Sequence, residues 1–490
     1  MKILLVYPQN PESFWSFRHV LRLVGKRSAF PPLGLLTVAA LLPREWQLRL
    51  IDTNVERLRD EDIAWADWVM LSGMIVHREA AREIARRCAA LGRPVIAGGP
   101  LFTACHEEFP EIQHFVLGEA ENVVDELVAD LRRGEVKARY RAAELPDLAA
   151  TPSPRWDLIE PRHYVTMPVQ FSRGCPFDCE FCDIVAMYGR VPRTKPPERV
   201  IEELEGLRRA GWRDMVFIVD DNFIGHKKRV KALLGSLASW REATGTPIGF
   251  LTEASVNLAD DDALLALMVR AGFKKVFVGL ETPVPESLQE CRKVQNAKRD
   301  LVGAVHAIQR AGLEVMGGFI VGFDSDPREI FRLQFDFIQR AGVVTAMVGL
   351  LTALPQTRLY ARLAREGRLV ARSLGDNTSA VLNFMPKLER STLLAGYREL
   401  MQSLYAPEAY YRRVRTFLAN WRPHGPRVRM AWSDVRAFAF SLWNLGLASR
   451  GRISFWRLFW STLLREPAKF RVAMELAIIG LHFRRVAERL

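Results

Sequence analysis

The stretch FSRGCPFDCEFCDIVAMYGR, residues 171–190, holds three of the six cysteines of a 490-residue chain. Cys175, Cys179 and Cys182 are separated by three and two residues, and the other three cysteines are scattered. So few cysteines in so long a chain do not make a disulfide framework. The spacing therefore points to a metal, cluster or redox site on a loop.

Three kinds of site compete for this cysteine group. A redox dithiol needs only Cys179 and Cys182 and leaves Cys175 without a role. A structural zinc ion needs four ligands, and the fourth would come from Cys291 or His163, neither of which belongs to a zinc-type pair. Three thiolates can hold a [4Fe–4S] cluster and leave one iron open to a small molecule. The cluster explains the spacing best.

Strand-like and helix-like segments alternate on both sides of this loop. In residues 1–145 the strand ends carry glycines, which predicts a doubly wound parallel α/β (Rossmann-like) sheet. Residues 146–165 contain four prolines and are predicted to be a linker. Six strand segments in residues 166–375 predict a partial (β/α)6 barrel with its functional residues at the carboxyl ends of the strands. Residues 376–490 are predicted to form a helical domain.

Composition limits the class of protein further. With 49% hydrophobic and 26% charged residues, the chain is globular, and its length predicts several domains. The opening MKILLVYP is too short for the apolar core of a signal peptide, so we expect a first strand and a cytoplasmic protein with reduced thiols.

The basic charge is concentrated near one end of the chain. Residues 391–490 carry a net charge of +11 out of +13 for the whole sequence. The same region holds five tryptophans, at Trp421, Trp432, Trp443, Trp456 and Trp460. Arginine with tryptophan on amphipathic helices suits docking at an anionic membrane surface, and a helical lid with a solvated basic face is the alternative. No RNA-binding signature is present, so nucleic acid is not expected as a partner. The apolar stretches are too short or too interrupted to predict a transmembrane span.

The cysteine spacing, on a loop after the first strand of a β/α repeat, resembles the radical S-adenosylmethionine (SAM) superfamily. The resemblance implies that Cys175, Cys179 and Cys182 bind a [4Fe–4S] cluster whose open iron is chelated by the amino and carboxylate groups of SAM. An electron from the cluster then cleaves SAM, and the resulting 5′-deoxyadenosyl radical abstracts a hydrogen atom from unactivated carbon.

Other strand ends match positions that members of this superfamily use to bind SAM. The resemblance implies cofactor contacts from Phe181, from Glu281 in GLET, and from Gly318 and Gly322 in GFIVGF. Polar candidates also end the second and third barrel strands, namely Asp220, Asp221 and Asn222 in VDDN and Glu253 in LTEAS. Acidic residues at such positions otherwise serve as helix N-caps or solvated charges.

Tyr188 and Arg190 follow the cysteine loop together with Arg193. We expect these side chains to face the barrel mouth, where Tyr188 and Arg190 are candidate catalytic residues in contact with SAM or substrate. A solvated basic loop made of Arg190, Arg193 and Lys195 is the alternative.

Residues 1–145 resemble the cobalamin-binding domain that precedes the barrel in one large subgroup of the superfamily. The resemblance implies a cobalamin site formed by strand-end turns at Ser72 and Gly73 in LSGMIV, Gly98 and Gly99 in IAGGP, and Gly118 and Glu119 in VLGEAE. The Asp-x-His-x-x-Gly motif of histidine-ligated cobalamin proteins is missing from the loop YPQNPESFW, residues 7–15. Either cobalamin binds without a histidine ligand, or the domain is vestigial. His77 is expected to be a surface or capping residue.

The whole chain resembles the branch that contains the hopanoid A-ring C-methylases. This resemblance implies methyl transfer from methylcobalamin to an unactivated carbon of a lipid or other small molecule, with flavodoxin or ferredoxin as reductant. It also implies that the cobalamin domain caps the barrel mouth. A cobalamin-dependent radical cyclisation or rearrangement is the alternative, and a metal-stabilised lipid- or nucleic-acid-binding protein is a more remote one.

Overall fold

The computed structural model describes residues 1–21, 24–376, 378–424, 438, 442–449 and 451–490. Its strands are β1 Lys2–Tyr7, β2 Gln47–Asp52, β3 Trp68–Ser72, β4 Val95–Gly98, β5 His114–Val116, β6 Arg139–Tyr140, β7 Met167–Val169, β8 Ser172–Arg173, β9 Arg193–Thr194, β10 Val216–Ile218, β11 Phe250–Ala254, β12 Phe273–Glu281, β13 Glu314–Val321 and β14 Ala346–Leu350.

The α-helices are α1 Arg18–Leu21, α2 Leu33–Leu41, α3 Asp60–Trp65, α4 Arg78–Ala90, α5 Pro100–Cys105, α6 Val124–Arg133, α7 Ile184–Tyr188, α8 Pro197–Arg209, α9 Lys227–Thr244, α10 Asp262–Ala271, α11 Pro285–Glu290, α12 Leu301–Ala311, α13 Ile330–Ala341, α14 Arg358–Arg365, α15 Arg390–Tyr405, α16 Pro407–Asn420, α17 Arg452–Arg465 and α18 Phe470–Ala487. A π-helix, π1 Leu442–Leu447, precedes α17.

The first six strands form a parallel sheet in the order β2-β1-β3-β4-β5-β6. Strand β1 is an unbroken apolar run because both of its faces are covered. Ile3 and Leu5 belong to the core that contains α2 and α6, whereas Leu4 and Val6 belong to the core that contains α4 and α5. This is the predicted doubly wound sheet. Its strand order reverses between β1 and β3, so the loops after these strands border the crevice where such sheets bind ligands.

A second parallel sheet has the order β14-β13-β12-β11-β10-β7, with helices α8 to α13 in the connections. Its side chains alternate, so that Val216 and Ile218 pack in the core while Phe217 between them points to the other face of the sheet. Strands β7 and β14 are the two edges. The partial (β/α)6 barrel predicted from the sequence is therefore confirmed.

The entry to the cysteine loop differs from the prediction. The loop was expected to follow the first barrel strand directly, but β7 ends at Val169, and β8 pairs with β9 as a separate antiparallel ribbon. Asp220 explains the break, because its carboxylate accepts hydrogen bonds from the Phe171 amide at 2.8 Å and from the Ser172 hydroxyl at 2.6 Å. The bond from the Phe171 amide takes the place of a ladder bond that a continuing strand would make.

Residues 146–165, the proposed linker, form short 3-10 turns that pack against the N-terminal sheet. Trp156 and Tyr164 are buried there. The Tyr164 hydroxyl donates to the Asp52 carboxylate at the end of β2, at 3.1 Å. The connection is therefore anchored by side chains, a feature that its prolines alone do not reveal.

The C-terminal helices pack on the last barrel strands. The Tyr405 hydroxyl donates to the Ala346 carbonyl at 2.7 Å, and the buried Arg413 guanidinium donates to the Leu404 carbonyl at 2.9 Å. Among the residues that the structure describes, no helix combines the length and apolarity that crossing a bilayer requires. Trp432 lies outside the described residues.

Candidate active site

The three cysteines of the loop after β8 have free, half-buried thiols. The Cys175 amide donates to the Gly189 carbonyl at 3.3 Å and closes the base of the loop. Gly174 makes this closure possible, because its φ is 96° and a Cβ atom there would lie 2.9 Å from the Gly189 oxygen.

The arrangement of these thiols bears on the choice between zinc and a cluster. Nowhere in the described part of the chain do three His, Cys, Asp or Glu side chains lie close enough together to bind one metal ion. A structural zinc ion needs four ligands on one ion, whereas a four-iron cluster takes each thiolate on a different iron.

Two side-chain amides approach the cysteine sulfurs. Asn222 Nδ2 lies 3.8 Å from Cys175 Sγ, and Gln295 Nε2 lies 3.8 Å from Cys179 Sγ. Gln295 Oε1 is buried and has no hydrogen-bond partner among the described residues. Amide donors stabilise the negative charge that cluster-bound thiolates carry, and they tune the reduction potential of such clusters.

A buried ion pair lies beside the same cysteines. Lys293 Nζ is 2.6 Å from Glu281 Oε1, and Gly279 leaves room for the pair, because a Cβ atom there would come within 2.5 Å of the carboxylate. Burial alone lowers the pKa of Lys293, but Glu281 and Cys179 reverse this and hold that pKa above its usual value. Lys293 is therefore a fixed positive charge that favours the thiolate form of its cysteine neighbours.

Sequence analysis identified Glu281 and Asn222 but missed Lys293 and Gln295. Both lie in the polar run KVQN, residues 293–296, between α11 and α12. The density of polar side chains in this run was the only sequence signal. Glu281 ends β12 with a φ of 61°, which is unusual for a residue with a side chain. Its contact with SAM stays a prediction, since its carboxylate is held by Lys293.

The two aspartates that end the second barrel strand have different partners. Asp220 is fully occupied by the Phe171 amide and the Ser172 hydroxyl, so its role is structural. Asp221 accepts from the Gly174 amide at 3.1 Å, at the base of the cysteine loop. Burial raises the pKa of Asp220 to about 7 and that of Asp221 to about 6.

Phe181 on the cysteine loop lies near Phe323, the residue that follows Gly322. The rings of Phe181 and Phe323 are 6.3 Å apart, and Lys293 Nζ is 5.9 Å from the Phe181 ring. Gly318 lies against Phe277, whose ring would be 2.9 Å from a Cβ atom at this position, and Gly322 has a φ of 105°. Packing requires glycine at both positions, and their contact with the cofactor stays a prediction.

Glu253 is the acidic residue of an otherwise apolar row across the barrel interior. It lies beside Phe277 on β12, and Phe277 lies beside Met316 on β13. Within the described residues Glu253 has no hydrogen-bond or ion-pair partner. Burial, and then the nearby Asp221 and Asp220, raise its pKa to about 8, so the carboxyl group is neutral at pH 7.

The loop after β1 reaches this interior from the N-terminal domain. Trp15 Nε1 lies 3.0 Å from Met347 Sδ on β14, and the Trp15 ring is 5.6 Å from Phe277. Phe30 approaches Phe217 in the same way, with ring centroids 6.3 Å apart. The two domains therefore share an aromatic wall inside the barrel.

The glycines predicted to border cobalamin lie at the carboxyl edge of the first sheet. Ser72 and Gly98 are neighbours in the β3–β4 register. Gly99 has a φ of 87°, and a Cβ atom at this position would lie 2.5 Å from Ser72 Oγ. A Cβ atom at Gly73 would lie 3.2 Å from the Cβ atom of His77. Gly118, also with a φ of 87°, donates its amide to Thr103 Oγ1 at 2.9 Å. These turns are bare backbone, which suits close approach of a large flat cofactor.

His77 is buried, so the expectation that it is a surface residue is wrong. The other expectation, that it is a capping residue, remains. Its Nδ1 accepts from the Met74 amide at 3.0 Å, and its Nε2 lies 2.6 Å from Asn10 Oδ1. Burial lowers its pKa to about 4, so the ring is neutral. Both ring nitrogens are engaged within the protein, consistent with cobalamin binding without a ligand from this histidine.

The carboxylate of Glu119 is bound by protein, and its contact with a cofactor stays a prediction. It is buried and forms ion pairs with Arg173 and, at 2.5 Å, with Arg193. Arg173 also pairs with Glu121 at 2.8 Å. These ion pairs join the N-terminal domain to the ribbon that frames the cysteine loop.

The basic residues after the cysteine loop do not form a solvated cluster as one alternative supposed. Arg193 is held by Glu119, and the buried Lys195 pairs with Glu203. Arg190 is exposed and donates to the Pro176 carbonyl at 3.1 Å, and its catalytic role stays a prediction. Tyr188 is half-buried, and burial raises its pKa to about 12; its catalytic role stays a prediction.

The residues present fit the three cofactors that the sequence implies. The thiols, their amide neighbours and the unpartnered Gln295 oxygen suit a cluster with a bound ligand. The bare turns at Gly73 and Gly99 suit cobalamin.

Comparison with known proteins agrees with this fit. The sequence pattern of the radical SAM superfamily matches residues 169–365, that of the B12 binding domain matches residues 26–128, and DUF4070, a domain of unknown function, matches residues 357–490.

Two relatives extend over nearly the whole chain. An uncharacterized methyltransferase of Synechocystis is 41% identical over 99% of this chain and 91% of its own length. Hopanoid C-2 methylase of Rhodopseudomonas palustris is 35% identical over 95% of this chain and 90% of its own length.

Solved structures share the fold. The radical SAM methyltransferase TsrM from Kitasatospora setae, with cobalamin and a [4Fe–4S] cluster bound, matches with a TM-score of 0.65 at 16% identity, covering 100% of this chain and 99% of its own. The cobalamin-dependent enzyme OxsB matches with a TM-score of 0.65 at 14% identity, covering 100% of this chain and 80% of its own. The chain therefore belongs to the cobalamin-dependent radical SAM methyltransferases, which use a [4Fe–4S] cluster, SAM and cobalamin.

Proposed function

We propose that this methyltransferase acts on an unactivated carbon of a polycyclic lipid of the hopanoid type. The observation that carries the proposal is the apolar interior wall made by Trp15, Phe217, Phe277, Met316 and Met347. Such a wall binds a hydrocarbon skeleton through its buried area, with few polar contacts to orient it. Similarity to a protein named hopanoid C-2 methylase supports the same substrate class.

The residues around the cysteines would hold the charged cofactor above this wall. When bound, the cluster, SAM and cobalamin supply radical and methyl-transfer chemistry that side chains cannot supply. Lys293 would balance the thiolate charge, while Asn222 and Gln295 would donate to the sulfurs. Trp15, inserted from the N-terminal domain, would keep water from the substrate carbon.

Glu253 would contact a polar group of the lipid substrate rather than its hydrocarbon skeleton. Its neutral carboxyl group can donate a hydrogen bond to a polar group of an otherwise apolar substrate.

The proposal also includes a reductant such as flavodoxin or ferredoxin, a cytoplasmic location and a peripheral contact with the membrane that contains the lipid.

The test is anaerobic turnover with a hopanoid, methyl-deuterated SAM, cobalamin and a chemical reductant. We expect a product that carries the labelled methyl group, detected by mass spectrometry. An unlabelled product would contradict the proposal and favour a rearrangement. The absence of any product, although SAM is still cleaved, would contradict it and favour another substrate.

The role of the apolar wall is tested in the same assay by a variant in the wall and a control variant outside it. Phe277→Asp places a charge in the wall and should abolish lipid methylation while 5′-deoxyadenosine formation without substrate continues. Leu374→Asp, at a residue that is 52% exposed and lies outside the barrel strands, should leave both reactions unchanged.

A further inference from the structure

Helix α17 is apolar on two opposite sides. One side is buried in the C-terminal core through Phe455, Leu458 and Phe459. The other side carries Ile453, Trp460 and Leu464, which are 64%, 52% and 74% exposed. These three residues recur at intervals of seven and four, so they share one helical face. Core packing accounts for the first side only.

The π-helix π1 extends this exposed face. Trp456 Nε1 donates to the Gly446 carbonyl at 2.9 Å and attaches π1 to α17. The same indole stacks on Trp460, with ring centroids 6.2 Å apart. Trp443, 66% exposed, and Leu447, also exposed, project from π1. We call the exposed residues Trp443, Leu447, Ile453, Trp460 and Leu464 the tryptophan face.

The charge around the tryptophan face is strongly positive. Residues 442–469 contain five arginines and lysines and a single acidic residue. Arg452, Arg457 and Arg465 are exposed, and none of them forms an ion pair with any residue that the structure describes. The single acid, Glu466, is paired with Lys469 at 2.6 Å.

From these observations we propose that the tryptophan face docks on the surface of a membrane that contains anionic lipid. Tryptophan suits the boundary between headgroups and acyl chains, because its ring is apolar and its N–H is polar. A helix with such a face and flanking arginines lies in the plane of the interface. The unpaired arginines select an anionic surface, since each adds attraction to acidic headgroups.

This surface extends the proposed peripheral contact and is tested without any lipid substrate. The reconstituted full-length enzyme is centrifuged with vesicles of phosphatidylcholine, alone or with phosphatidylglycerol added. We expect sedimentation with the mixed vesicles, weakened by salt because exposed charges are screened. No binding to mixed vesicles, or equal binding to both kinds, would overturn the proposal.

Matched variants locate the contact. Trp460→Glu should reduce binding at least tenfold, whereas Leu374→Glu, at a residue that is equally exposed at 52% and lies outside this face, should not change it. Arg457→Gln should weaken binding about fivefold, because it removes the attraction of one arginine to the anionic surface. Equal effects of Trp460→Glu and Leu374→Glu would overturn the assignment to this face.

A second copy of the chain is the rival occupant of an apolar face. Analytical ultracentrifugation distinguishes these two occupants. If the wild-type enzyme is a dimer that Trp460→Glu dissociates, and if it does not bind vesicles, membrane docking is overturned. The proposed function fails separately: vesicle binding with no methylation of a hopanoid would contradict the substrate and leave the docking surface intact. 5′-Deoxyadenosine formation by each variant confirms that the barrel is folded.

Discussion

The mouth of the barrel and the interior beneath it are built from opposite kinds of side chain. At the mouth, buried charges are paired, as Lys293 is with Glu281 and Arg173 with Glu119. In the interior the wall beside Trp15 is aromatic or thioether, and the carboxyl group next to it, Glu253, has no partner among the described residues. On the same strand faces, further from the mouth, the charges of Lys275 and Glu314 are again paired. Charges that must remain in a low dielectric need partners, whereas an unpaired acid becomes neutral. The mouth is therefore organised for charged cofactors and the interior for an apolar molecule.

The largest effect should come from the cysteines at the mouth. Cys175→Ala is expected to eliminate 5′-deoxyadenosine formation completely, because two thiolates do not hold the cluster in its site. Iron content after anaerobic reconstitution and SAM cleavage measure the loss. Cys88→Ala, at a buried thiol in the N-terminal core, is the control and should retain both. Full iron loading of Cys175→Ala would show that another group binds the cluster.

The next effect concerns the paired charges that join the mouth to the N-terminal domain. Arg173→Met leaves Glu119 and Glu121 buried beside a single remaining arginine and should lower stability by about 3–5 kcal/mol. Urea unfolding followed by fluorescence measures this loss. Arg132→Met, which removes an exposed pair with Glu45, should cost far less, because solvent screens the charges of a surface pair. Equal losses for the two variants would mean that the interdomain pairs contribute no more than surface pairs.

The smallest effect concerns the unpaired acid of the interior. The pKa of Glu253 is about 8, so the carboxyl group loses its proton as the pH rises through that value and places a charge in the apolar wall. Substrate affinity of the wild-type enzyme should therefore fall about tenfold per pH unit above pH 8.

The Glu253→Gln variant should not show this fall, because its amide stays neutral. The stability of the wild type relative to Glu253→Gln should also decline as the pH rises from about 4.5 to 8, since the unfolded carboxyl group ionises near 4.5. Glu329→Gln, an exposed acid outside the barrel, is the control. Parallel pH profiles for wild type and Glu253→Gln would contradict a neutral acid in the interior.

Both sheets could be predicted from the sequence because their signals are local. Strand β1 is an unbroken apolar run, and helix α4 has a periodic apolar face and is followed by Gly92, signals that need no distant partner. The site was predicted less completely. Gln295 lies 116 residues from Cys179 along the chain, and Trp15 lies 332 residues from Met347. No local pattern predicts contacts over such distances.

The ion pairs and hydrogen bonds of charged site residues have the same origin. Glu119 pairs with Arg173 and Arg193, which approach from another domain, so its place in the turn VLGEAE did not predict these partners. The bond from Arg190 to the Pro176 carbonyl likewise depends on the fold of the loop, and the functional roles of both residues stay predictions.

By itself the sequence determined the cysteine spacing, the alternation of strands and helices, and the concentration of positive charge near residue 490. These depend on residues that are neighbours along the chain. Only the tertiary structure decided that Lys293 lies beside the cysteines, that Glu253 has no partner among the described residues, and that Trp460 is exposed. The physical reason is that burial and pairing are properties of a position in space, and they arise only when segments far apart in sequence pack together.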